Sequence, residues 1–187
     1  DLSNLELLAK LDIRNIYYFS DNALKDNLTK EVLEKAKSLD IELIKLNLVN
    51  DSSVSKKLNE LTFAFAGDLA TNYKLLNSKS IDILINPTTI KASFDSSLAS
   101  IANENNKLIC FDINSLRSRN LRVIKQTNFI IKLLQARKCD FVFCSLARTK
   151  EDLIDPKVLF YFLKSLGNLE DEFILKILDN EIICKRK

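Results

Sequence analysis

Two glycines and two prolines serve all 187 residues of this chain, and there is no histidine, methionine or tryptophan. Ordinary proteins carry about 7% Gly and about 5% Pro, so both turn-forming residues are scarce. Without His there can be no Ser-His-Asp triad, no Cys-His pair, no HExxH site and no imidazole general base. Gly67 and Gly167 stand far apart in the sequence, which excludes a GxGxxG turn, a Walker loop and a GxSxG elbow. No apolar run approaches the roughly 18 residues of a membrane span, and the N-terminus lacks the layout of a signal peptide. Cys110, Cys139, Cys144 and Cys184 form no C-x-x-C pair, so a zinc site would need all four together. Cys110 and Cys144 lie in apolar runs and read as small buried hydrophobes in a reducing, cytoplasmic compartment. The chain opens on Asp1-Leu2, and the expectation is that an initiator and the beginning of a first strand precede it.

What is present is the composition of a globular protein, 47% apolar and 28% charged, with a net charge of +3. Apolar periodicity alternates short β-like runs with amphipathic helices. The runs are Ile16 to Phe19, Ile41 to Leu48, Phe63 to Ala66, Ile81 to Ile85, Leu108 to Ile113 and Phe141 to Ser145, most of them apolar throughout, as strands covered on both faces must be. Asp1-Leu2 is taken as the stub of an earlier strand, which would make about seven.

Helix signals fall between the runs. Ser3-x-x-Glu6 has the form of a capping box. Thr29 precedes a stripe of Val32, Leu33, Ala36 and Leu39, and Ser52 or Ser53 can cap a short helix carrying Val54, Leu58 and Leu61. Asp68 and Asp95 can cap two further helices. The longest helix is expected from about Arg119 to Arg137. Asp155-Pro156 is an N-cap with Pro at the first helical position, Gly167 a stop, and Asn168 the cap of a last helix through Leu178. Unbroken strand–helix alternation predicts a parallel sheet. The expected fold class is an α/β, TIM-like β/α barrel of about seven strands, with residues 1–187 as one domain and a basic tail at 185–187. An open doubly wound sheet is the alternative.

In either architecture the loops after the strands carry function. The loop after Ile85 holds Lys91. The next holds Arg117 and Arg119, with Arg122 and Lys125 just beyond, and the loop after Ser145 holds Arg148 and Lys150. The earlier loops lean acidic, through Asp21, Asp26, Asp51 and Asp68. Cations interleaved with Asn86, Asn114, Ser115 and Asn120 suit a phosphate backbone. Asp82 and Asp112, within strands, could hold Mg²⁺ at a barrel mouth. Ser145 has no base to activate it.

The second half of the chain resembles archaeal ribonuclease P protein component 3, the family of the eukaryotic thirty-kilodalton subunits of nuclear ribonuclease P. IDILINP at 81–87 looks like the family's V-D-I-L-x-x-P, following Asn72 at the spacing of a family Asn. DSSLASIANENN at 95–106 matches a D-x-x-L-A-x-x-A-x-x-N helix. CFDINSLRSRNLR, from Cys110 to Arg122, resembles an E-I-N strand with its Arg-bearing loop. Phe143 to Gly167 tracks an S-x-A segment followed by a Pro-led helix. The likeness covers about residues 63–178. Tyr73 stands where the family has Arg, Asp112 where it has Glu, and Ser145-Leu146-Ala147 where it carries His or Asp.

The resemblance implies a barrel akin to the metal-dependent polymerase-and-histidinol-phosphatase (PHP) superfamily, recruited to bind RNA. On that reading the chain has no catalytic residue and no metal of its own, Mg²⁺ being required by the ribonuclease P RNA. Its partners are that RNA, the ferredoxin-like component 2 and, indirectly, precursor tRNA, whose 5′ leader the RNA removes. Lys91, Arg117, Arg119, Arg122, Arg148 and Lys150 are the expected RNA contacts. The rival readings are a phosphoesterase of the parent superfamily using Asp82, Asp112 and other carboxylates, and a scaffold that binds protein.

Overall fold

The computed structural model describes residues 2–10, 15–18, 29–49, 61–88, 93–117, 120–147, 149–166 and 169–178. Its contacts divide the chain into two compact units, Asp1–Leu48 and Val49–Lys187.

In the first unit β1 (Asn15–Tyr18) and β2 (Glu42–Leu48) form a parallel ladder, Asn15 level with Glu42 and Tyr18 with Lys45. Two helices accompany it, α1 (Leu2–Lys10) and α2 (Lys30–Ser38). Thr29 caps α2 by accepting from the Val32 amide. Ala36 is buried on the predicted stripe, whereas Leu33 is 42% exposed. Lys35 bridges to Glu6 at 2.7 Å, tying α2 to α1, and this hydrogen bond holds the Glu6 carboxyl below its ordinary pKa.

Leu2 corrects the strand stub, because it is the first residue of α1. Leu5 and Leu8 of that helix are buried, a helical spacing that a dipeptide cannot display. Ser3 accordingly lies inside the helix and not at its cap.

The second unit has four parallel strands in sequential order: β3 (Leu61–Phe65), β4 (Ile83–Ile85), β5 (Leu108–Asp112) and β6 (Phe141–Cys144). The register aligns Ala64, Leu84, Ile109 and Phe141 in one row across the sheet, with Phe111 beside Phe143 in the next. These side chains form one core with α3 (Leu69–Asn77), α4 (Ser96–Glu104), α6 (Leu121–Ala136), α7 (Pro156–Leu166) and α8 (Asp171–Leu178). Phe111 and Phe143 stack at 5.2 Å, and Phe141 meets Phe173 of α8 edge-on at 5.4 Å. Such pairs add about 0.5–1.5 kcal/mol each beyond burial. The other sheet face carries Phe63, Ile83, Ile85, Leu108, Cys110 and Val142, all buried as well.

Helices on one face, with no reversal of strand order, exclude a doubly wound sheet, which needs both. The described residues contain six strands, all paired in parallel, and no ladder that closes a seven-stranded barrel. Leu61, assigned above to a helical stripe, begins β3; the rest of that short helix, Gly167 and Asn168, and the 185–187 tail lie outside the described residues. Cys110 is buried as expected, whereas Cys144, expected to be buried too, is half-buried; Cys139 is also buried. Cys110 donates to the Cys144 sulfur at 2.9 Å, and that bond together with burial pushes the Cys110 thiol well above its usual pKa.

A chain so poor in glycine must still end its helices. Asp40, Asn106 and Lys138 take the left-handed conformation, with φ of 56°, 51° and 55°. Each sits just past a helix, where glycine is usual. The following amides close the turn, Ile41 to Ala36, Lys107 to Ala102 and Cys139 to Leu134 at 2.7–3.0 Å. This is the Schellman arrangement built without glycine.

Candidate nucleic-acid interface

The C-terminal ends of β4, β5 and β6 are joined by one polar network. Asn86, just past β4, holds a φ of 62°, a conformation Asn tolerates better than most residues. Its amide donates to the Cys110 carbonyl at 2.7 Å and its side chain to Ser115 Oγ at 3.4 Å. Asp112, the last residue of β5, accepts from the Asn114 amide at 3.0 Å and the Ser115 hydroxyl at 2.6 Å. These bonds turn the chain straight into the short helix α5 (Ile113–Arg117). Asn114 then reaches the segment after β6, donating to the Ser145 carbonyl and, at 3.3 Å, to that of Asp152.

Arg117 ends α5, where the helix dipole favours a cation. It donates to Asn114 Oδ1 and to the Glu151 carbonyl, both at 3.2 Å, and remains exposed. Glu151 belongs to the 3₁₀ turn Lys150–Asp152. Asp152 steadies that turn by accepting from the amide and hydroxyl of Thr149 at 3.0 and 3.3 Å. The predicted β5 loop and β6 loop are therefore one braced surface, with Arg117 on it.

Arg122 is exposed on the first turn of α6, and its amide donates to the cap Asn120 at 3.0 Å. Lys91, Arg119 and Arg148 lie outside the described residues, as does the side chain of Lys150. Asn114 and Ser115, named above among the polar residues suited to a phosphate backbone, bond within the protein: Ser115 to Asp112 and Asn86, Asn114 to the Asp152 carbonyl and to Arg117. No sequence pattern marked Asn114 as the hub, because its partners stand 31 to 38 residues away.

Asn72 also gains a physical account. Fully buried on α3, it accepts from the Gly67 amide at 2.8 Å and donates to the Gly67 and Ser93 carbonyls at 3.0 and 2.7 Å. It staples the turn after β3 to the segment that leads into α4. Asp68 caps α3 beside it, and its bond from Thr71 holds the carboxyl below its ordinary pKa.

The pairing of Asp82 and Asp112 in one metal site is corrected by the register. Asp82 precedes β4 and Asp112 ends β5, so they lie at opposite ends of parallel strands. Five residues of β5 separate their levels, about 16 Å at the rise of a strand. Each is also engaged locally, Asp82 with the amide and hydroxyl of Thr62 at 2.9 Å. Among the described residues no three His, Cys, Asp or Glu side chains converge on a point. None of the described helices is long and apolar enough to cross a membrane.

No protein-family model matches the chain, and no curated protein matches it by sequence. Among solved structures it is similar to a chain in a cryo-EM structure of archaeal ribonuclease P with mature tRNA, at a TM-score of 0.79 and 18% identity. That likeness covers 100% of this chain and 87% of the other. At that identity the likeness is one of fold.

Proposed function

We propose that this protein is an RNA-binding subunit of an archaeal-type ribonuclease P, equivalent to component 3. In this reading it supports the RNA-catalysed removal of the 5′ leader from precursor tRNA, in the cytoplasm, with component 2 as protein partner. The observation that carries the reading is the full-length likeness of fold to a chain of archaeal ribonuclease P. The motif order at residues 72–167 supports it independently. So does the absence of His from a fold whose parent superfamily uses metal chemistry.

The chain contributes no catalytic residue and no metal; Mg²⁺ serves the RNA. Arg117 and Arg122 present guanidinium groups at the C-terminal end of the sheet, and Lys91, Arg119, Arg148 and Lys150 are assigned to the same RNA contact from their places in the sequence after the strands. Separated carboxylates disfavour the phosphoesterase reading.

Reconstitution of pre-tRNA cleavage from the RNA, with and without this chain and component 2, tests the proposal. Cleavage at limiting Mg²⁺ should rise when the chain is added. An unchanged rate would overturn it.

A further inference from the structure

The longest helix, α6, buries Val123, Thr127, Ile130, Ile131 and Leu134 and turns a different set of residues to solvent. Arg122, Lys125, Phe129 and Lys132 recur at steps of three, four and three, which places them on one face. All four are exposed, Phe129 by 56%. Residues 121–136 contain no acidic side chain. Other helices balance their charges: Lys30 pairs with Glu34 on α2 at 3.7 Å, and Lys164 of α7 with Asp171 of α8 at 2.8 Å. None of the three α6 cations has a carboxylate partner among the described residues. Neighbouring α4 adds one acidic residue, Glu104, its other exposed positions being Ser and Asn.

A single exposed apolar side chain is ordinary. Phe129 differs in that Lys125 precedes it by one turn and Lys132 follows it by one. An aromatic face between cations is the arrangement by which proteins hold single-stranded nucleic acid, bases stacking and phosphates neutralised. An acidic peptide would be satisfied by the cations and leave the ring without a role.

We propose that the stripe Arg122, Lys125, Phe129 and Lys132 binds an unpaired stretch of RNA, a base stacking on Phe129 between phosphates held by the three cations. The proposal rests on the RNA-binding reading above and extends it from the sheet end along about 15 Å of helix, at 1.5 Å per residue.

The test uses the full chain with a stem-loop RNA carrying a large single-stranded loop, and the blunt duplex of the same stem. Phe129→Ala should weaken stem-loop binding about tenfold, the scale of one lost stack, leaving the salt slope and duplex binding unchanged. Lys125→Ala with Lys132→Ala should lower the slope by roughly 1.4, two single-strand phosphate contacts. Because the chain has no Trp, Phe129→Trp places one indole on the stripe. It should retain affinity, and the stem-loop should quench its fluorescence where the duplex does not. Normal stem-loop binding by Phe129→Ala, or an unquenched indole, overturns the stacking proposal while the subunit reading stands. Binding of neither RNA by the parent chain overturns both. Tighter binding of polyglutamate than of stem-loop at equal salt, lost in the lysine double variant, overturns it in favour of an acidic protein partner.

Discussion

The two ends of the β3–β6 sheet are both polar, yet they are built to opposite purposes. At the N-terminal end Lys107 is buried, donating at 2.6 Å to each of the Ser78 and Ile81 carbonyls. Thr62, also buried, bonds to Asp82 and to the Ser80 carbonyl. Here helices finish, and left-handed Asn106 and Lys138 return the chain to the sheet. At the C-terminal end helices begin, and Asp68, Asp95 and Asn120 cap them. There the half-buried network around Asp112 and Asn114 leaves Arg117 exposed. A buried cation that donates to two backbone carbonyls serves stability. One braced on a single edge keeps its other donors for a ligand.

The sharpest test of this contrast is Asn72, the sealed point at the otherwise open end. Asn72→Ala removes three hydrogen bonds at a fully buried site and should cost about 3 kcal/mol, read by urea unfolding. A loss below about 1 kcal/mol would show the staple to be dispensable. Lys107→Met strands two carbonyls and should cost about 2 kcal/mol, while RNA affinity remains unchanged. If affinity fell with stability intact, the N-terminal end would not be the structural one.

Lys138→Gly should stabilise by about 1 kcal/mol, since glycine meets no steric penalty in the left-handed region. Thermal unfolding decides it, and a lower melting temperature would argue against the backbone reading. Arg117→Ala should leave stability within about 0.5 kcal/mol but reduce the salt slope of RNA binding by roughly 0.7–0.9.

The smallest effect concerns pH. The Asp68 carboxyl, held below its ordinary pKa by Thr71, stabilises the fold above the unfolded-state pKa. That contribution is lost as pH falls through the folded-state pKa. Asn at the same position can still cap. Asp68→Asn should therefore lose less melting temperature than the parent between about pH 5 and pH 3. Equal losses would place the acid sensitivity elsewhere.

Much of this was legible in the chain itself. Thr29, Asp68, Asp95 and the Asp155-Pro156 pair announced helix starts, because a cap is satisfied by amides two or three residues away. The six strands announced themselves as apolar runs, and the exclusion of imidazole chemistry followed from the absence of His. The scarcity of glycine did not say which residues would take left-handed positions in its place; Asn86, Asn106, Asp40, Lys138 and Leu146 do. Leu2 misled because two residues carry no period.

Other features depended on distance across the fold. That Asp82 and Asp112 stand at opposite ends is a matter of strand register, which long-range packing of Ala64, Leu84, Ile109 and Phe141 sets. That Asn114 aims Arg117 depends on bringing residues more than thirty positions apart within hydrogen-bond reach. Local free energies of capping and periodicity are written in neighbouring residues. The assembly of a surface is decided by which buried rows align, and that alignment exists only once the sheet has formed.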